Sequence, residues 1–177
     1  MSDTAHTVSN RFLTFTLGRD MFALDICAVR EILDMTEITR IPQTPPAVRG
    51  VVNVRGAAVP VIDLRLRFGM EEAERTVNTR IVIVEIPNAD GVTVLGAIAD
   101  SVKEVLEMEP DSIAPPPAMG ASVKTDFLRG IGKAGGRFIL VLDIARVLGS
   151  DEVLALGELG ANLNGQENPA GDSSSMA

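Results

Sequence analysis

Tryptophan and tyrosine are absent from this chain, and its 177 residues hold one cysteine and one histidine. Six phenylalanines are the whole aromatic complement. That scarcity weighs against a nucleic-acid stacking platform or a carbohydrate site, both of which lean on aromatic faces. Positive charge is short as well: 16 Lys and Arg stand against 24 Asp and Glu, for a net charge of -8. Phosphate binding needs a basic surface, so nucleic acid is not an expected partner. The single Cys27 excludes an intrachain disulfide and fits a reducing cytoplasm. Flanked by Ile26, Ala28 and Val29, it reads as a small buried hydrophobe. His6, the one histidine, lies in a polar N-terminal stretch, which disfavours a Ser-His-Asp or Cys-His pairing and leaves no zinc-spaced cluster. No apolar run approaches the roughly 20 residues that span a bilayer, and residues 1–10 lack the apolar core of a signal peptide. The expectation is a soluble cytoplasmic protein without metal or cofactor.

What the chain does contain is a repeat. Val29 to Met35 reads V-R-E-I-L-D-M, and Val102 to Met108 reads V-K-E-V-L-E-M. Each copy is followed by a second echo, Arg49-Gly50 with Asp63-Leu64 and Arg129-Gly130 with Asp143-Ile144, and the Gly-to-Asp spacing is 13 residues in both. Two copies make two related supersecondary units packed together, not a long solenoid. Residues shared by the copies then belong mainly to the scaffold. A function carried by one half belongs where the copies differ.

Phe12 to Leu17 and Met21 to Ile26, joined at Gly18-Arg19-Asp20, predict a β-hairpin. Ile26, Val29, Ile32 and Leu33 approach helical spacing and predict a short helical turn. Thr44-Pro45-Pro46 forces an irregular loop. Apolar runs on either side of Asn53-Val54-Arg55-Gly56 read as strands buried on both faces, and Pro60 marks an edge or a bulge. Glu71 to Asn78 is a polar connector to the second copy. There, Ile81 to Ile86, Val92 to Ala99 and Phe138 to Ile144 are further strands, and Pro115-Pro116-Pro117 stands where Pro45-Pro46 stood. A last helix begins near Asp143 and breaks at Gly149-Ser150-Asp151, with Ser150 capping its second piece. Residues 1–10 are expected to be flexible, and residues 160–177, rich in Gly, Asn and Ser, a disordered tail whose removal after Leu159 is tolerated. The repeat copies run from about 12 to 68 and 80 to 148 within a domain of 11–159. Many short strands in two copies predict an all-β fold of paired small barrels.

Little in this pattern looks catalytic. Gly130 to Gly136 resembles a phosphate loop, but it precedes a strand and lacks G-K-[ST], so it reads as a tight β-turn. Asp63 and Asp143 are repeat equivalents, yet neither precedes Ser/Thr-Gly, and each reads as a cap at a strand end. The chain is therefore not expected to be an enzyme. The remaining signal is asymmetry: with Gly50 and Asp63 as anchors, Arg55 falls opposite Gly135. Arg55 is a solvated turn residue, or is paired with Glu31 to hold the repeat together, or is an anchor at a protein interface, where arginine is enriched among hot spots.

These same residues resemble CheW, the adaptor family of bacterial chemotaxis. The likeness covers about Phe12 to Leu148. Its motifs are F-x-L-G near Phe15 to Gly18, V-x-E-I at Val29 to Ile32, R-I-P-x-T-P at Arg40 to Pro45, and the long string V-x-G-V-x-N-x-R-G-x-x-x-P-V-I-D-L from Val48 to Leu64. Val54 departs from the usual leucine, and the tail is rich in Gly and Ser. The resemblance implies two intertwined five-stranded β-barrels with short helices and a C-terminal helix. It implies a non-catalytic adaptor that couples methyl-accepting chemoreceptors to the histidine kinase CheA, cytoplasmic and recruited to membrane-associated receptor arrays. A groove between the barrels would take the receptor's hairpin tip, and other surfaces would meet the CheW-like regulatory domain of the kinase. The implied binding residues are Val29, Glu31, Gly50, Asn53, Arg55 and Val105. A CheW-like scaffold serving another chemosensory output, such as surface motility, is the alternative reading.

Overall fold

Ten strands form two five-stranded sheets in the computed structural model, which describes residues 10–88, 91–116, 127–147 and 155–165. The first copy contributes β1 (Arg11–Leu17), β2 (Asp20–Asp25), β3 (Val29–Asp34), β4 (Val48–Val54), β5 (Ala57–Asp63) and the short helix α1 (Leu64–Arg67). The second contributes β6 (Arg80–Asn88), β7 (Gly91–Ala99), β8 (Ser101–Glu107), β9 (Leu128–Ala134), β10 (Arg137–Leu142) and α2 (Ile144–Val147). A further helix, α3, occupies residues 155–165.

The copies are interwoven. One sheet runs β8-β1-β2-β10-β9, the other β3-β6-β7-β5-β4. Each copy therefore keeps its first two strands in one sheet and sends its last three into the other. The joints are parallel pairs, Leu140↔Phe22 with Val141↔Ala23, and Val61↔Gly96 through Asp63↔Ile98. Neither sheet closes by hydrogen-bonding its two edge strands. Instead, the chain after β3 returns to β4 through a single bridge at Thr39↔Val51, and the chain after β8 returns to β9 at Ala114↔Ile131.

Period-two alternation explains the continuous apolar runs. Leu13, Phe15, Leu17, Val82, Val84 and Ile86 point into a central core between the sheets. Their neighbours point the other way: Phe12 into a core inside the first sheet, Ile81 and Ile83 into one inside the second. Both faces of these strands are thus buried. Phe15, Phe22, Phe68 and Phe127 stack in series, with centroids 5.8, 5.7 and 5.1 Å apart.

A polar lock spans the junction. Arg65 of α1 donates from Nε and Nη2 to Asp100, at the β7–β8 crossover, at 2.9 and 2.7 Å. The Gly18 amide of the β1–β2 turn donates to the same carboxylate at 2.7 Å. Burial acts to raise the Asp100 pKa, but the hydrogen bonds from Arg65 and Gly18 together outweigh it and hold the carboxyl below its ordinary value.

Several expectations are met in detail. The β1–β2 hairpin turns at Gly18-Arg19, and the Asp63 and Asp143 carboxylates accept from Leu66 and Ala145, each at the start of its own short helix. Others need correction. The helical turn is confined to Ile26–Ala28, and Val29 onward is strand. That turn carries Cys27 outward, so the thiol is exposed, not buried as its apolar neighbours implied. Pro60 lies in an interior strand, but just before pairing with β7 begins at Val61. The segment from 160 was expected to be disordered, yet its first six residues continue α3. The expected flexible lead-in (Asn10 excepted), the Ser150 cap and the expected disorder of residues 166–177 lie outside the described residues.

Candidate protein-interaction site

The site residues that the sequence nominates fall into three places. Glu31, Asn53 and Arg55 come together where the two edge strands of the second sheet approach. The connection between β4 and β5 is a two-residue turn, Arg55-Gly56, flanked by the pair Val54↔Ala57. Both turn residues have positive φ, 53° and 89°, the conformation that matches the right-handed twist of a tight hairpin. Asn53 Oδ1 accepts the Gly56 amide at 2.8 Å and fixes the turn. Arg55 then reaches across to β3, placing Nη1 and Nη2 each 3.1 Å from a Glu31 carboxylate oxygen.

The pairing of Arg55 with Glu31 is formed in this geometry. The ion pair bridges β3 and β4, the open edges of the sheet. The Arg55 side chain is still 79% exposed while that of Glu31 is 20% exposed, so the guanidinium lies open to a partner. A pair this exposed stabilises the fold by about 0–1 kcal/mol. In the second copy the equivalent turn is Gly135-Gly136, at φ 60° and 79°. Glycine adopts that conformation freely, whereas an L-residue there costs about 1–2 kcal/mol. The first copy keeps an arginine where the second has the easier residue.

Gly50 sits elsewhere. It is buried, with its Cα against the Thr39-Arg40 backbone, and a methyl group there would collide with the Thr39 carbonyl. Gly130, its repeat equivalent, is held the same way, with a methyl group falling 2.6 Å from the Ala114 oxygen. Both glycines admit the bridge that returns the chain to the sheet edge. Gly50 therefore shapes the site from behind. Val29, half-buried at the head of β3, packs on the central core, while Val105 stands on β8 of the other sheet, 47% exposed. A groove of about 650 Å³ opens between the first sheet and the α1 segment, lined by Phe22, Phe68, Met70, Phe127, Leu128 and Leu140, and neither valine lines it. Among the described residues no group of three His, Cys, Asp or Glu is arranged to hold a metal ion.

Sequence reasoning missed the left-handed conformation of Arg55. The signal was available, because the repeat aligns Arg55 with the first glycine of a Gly-Gly turn.

Comparison with known proteins turns this geometry into an assignment. The CheW-like domain family matches residues 11–152. This chain belongs to the CheW-like family. It is 36% identical over 147 residues to the chemotaxis protein CheW of Klebsiella aerogenes, covering 83% of this chain and 86% of that one. Against CheW of Rhizobium meliloti identity is 32%, covering 86% and 97%. The crystal structure of the scaffolding protein TtCheW from Thermoanaerobacter tengcongensis superimposes with a TM-score of 0.72 at 34% identity, covering 82% of this chain and 92% of that one. The CheW-like family accounts for the two interwoven sheets, and it makes this chain a scaffold protein of chemotaxis. None of its described helices is long and apolar enough to cross a membrane.

Proposed function

We propose that this chain is a non-catalytic adaptor that couples chemoreceptors to the histidine kinase CheA at membrane-associated receptor arrays. The observation that carries the reading is the Arg55 turn. A family-level scaffold keeps an exposed arginine in an unfavourable backbone conformation, in one repeat copy only, braced by Glu31 and Asn53. Residues held in such conformations persist where function demands them. Arginine also suits an interface anchor, since its planar fork can hold Glu31 while keeping further donors for a partner. Val29 and Val105 are assigned to the receptor side, where a helical hairpin tip needs apolar contacts.

The test is a titration of the purified chain against CheA and against a receptor signalling fragment. Arg55→Gly removes the guanidinium and relieves the turn. Its melting temperature should match or slightly exceed that of the parent, because the relief of about 1 kcal/mol offsets the exposed ion pair. Binding to at least one partner should weaken by about 1 kcal/mol or more, the scale of a hot spot. Undiminished affinity for both partners in a stable Arg55→Gly variant would remove Arg55 from the site. Failure of the parent chain to bind either partner would overturn the coupling role itself.

A further inference from the structure

We infer that the C-terminal helix α3 is a splint for the Arg55 hairpin, with Asn164 as the positioning residue; this rests on the reading of Arg55 as a partner anchor. The β5–β7 pairing begins at Val61↔Gly96, so the strands part upstream of those residues. Into that opening α3 is laid. Gly157 lies so close to Thr93 of β7 that a methyl group there would fall 2.9 Å from the hydroxyl oxygen. Gly160 lies against Pro60 of β5, and Leu156 is buried in the central core. At its far end the Asn164 carboxamide takes both free groups of one strand residue. Its Oδ1 accepts the Ala58 amide at 2.8 Å, and its Nδ2 donates to the Ala58 carbonyl at 3.3 Å. Asn164 thereby pairs like an extra strand with the residue three positions beyond Arg55.

The second copy supplies the contrast. There β10 parts from β2 in the same way upstream of Leu140↔Phe22. Across that opening Arg137 Nη2 makes a long hydrogen bond to the Arg19 carbonyl, at 3.4 Å. The turn it leaves is Gly135-Gly136, which needs no restraint. A left-handed arginine does need it, because strained backbone persists only when its surroundings over-determine it. Asn53 fixes the turn from the β4 side and Asn164 from the β5 side. The helix is therefore found on the hairpin whose tip is strained, and its contacts fall outside the residues that the partner would meet.

Amide hydrogen exchange on the full chain, as parent, Asn164→Ala and Asn164→Asp, tests this. Loss of the carboxamide should speed exchange at Ala58 by about tenfold, and acceleration of similar size should reach Gly56 and Ala57. Asn164→Asp keeps an acceptor for the Ala58 amide and should fall between the two. Exchange in strands β1 and β6 should not change, which separates loosening of the hairpin from a global loss of stability. Acceleration confined to Ala58, with Gly56 and Ala57 unchanged, would overturn the splint. Affinity then completes the cycle. Asn164→Ala should weaken binding about fivefold in the parent and have no further effect in Arg55→Gly, and an equal loss in both backgrounds would overturn the link to Arg55. If Arg55→Gly itself binds normally, the anchor reading fails, while the exchange result still decides the splint.

Discussion

Gly50 and Arg55 lie five positions apart in one motif and answer to different physics. Gly50 is fixed by space, because the bridge at Thr39↔Val51 brings a backbone carbonyl to where a side chain would start. Arg55 keeps a left-handed backbone in a turn that Asn53 fixes, with its guanidinium paired to Glu31. Gly50→Ala should force the Thr39 segment away and break two 2.8 Å hydrogen bonds, Thr39 amide to Val51 carbonyl and the reverse. Overpacking costs about 1–3 kcal/mol and each lost hydrogen bond about 0.5–1.5. A loss of at least about 2 kcal/mol should lower the melting temperature by roughly 5–10 °C. Gly69, where an added methyl group has nothing within 4 Å, is the comparison: Gly69→Ala meets only the strain of its positive φ. Equal melting shifts for the two variants would show that close packing is not what requires Gly50.

Among the elements, the Arg65–Asp100 lock joins the β1–β2 turn, the β7–β8 crossover and the helix α1. The folded-state pKa of Asp100 is depressed, so its contribution is present above the unfolded value of about 3.9 and is lost as pH falls through the folded value. Asp100→Asn should lower stability at pH 7 by about 1–2 kcal/mol, within the range for hydrogen bonds to a charged group and reduced by partial exposure. Melting curves of parent and variant should converge as pH falls below about 4, because the parent loses its carboxylate there. A constant gap across that range would mean that the Asp100 charge plays no part in the lock.

At the scale of the whole molecule, the fold closes on itself through α3, and the domain boundary moves accordingly. A chain ending at Leu159 loses the Gly160–Pro60 contact and both Asn164–Ala58 bonds. A chain ending at Gly165 keeps them. The shorter chain should melt several degrees below the longer one, consistent with a loss of about 1–2 kcal/mol. Coincident melts would restore the tolerant tail that the composition predicted.

The sequence by itself determined the repeat, the strand-rich class, the hairpin at Gly18, the strands on either side of Arg55, the capping roles of Asp63 and Asp143, and the resemblance that named the family. These are local or periodic features, carried by turn chemistry, alternation and spacing, and they need no knowledge of what lies opposite. The tertiary structure alone decided which strands of each copy trade places, because two equivalent apolar edges look alike along the chain. It alone showed that Cys27 faces outward, that Gly50 is buried beneath Thr39, and that Arg55 both bridges the sheet edges and stays open. The Gly- and Asn-rich segment from 160 reads as unable to order, since composition counts only what a segment can bury. In the fold those same residues become useful: small glycines let a helix lie close on a sheet, and one carboxamide satisfies backbone groups that the parted strands leave free.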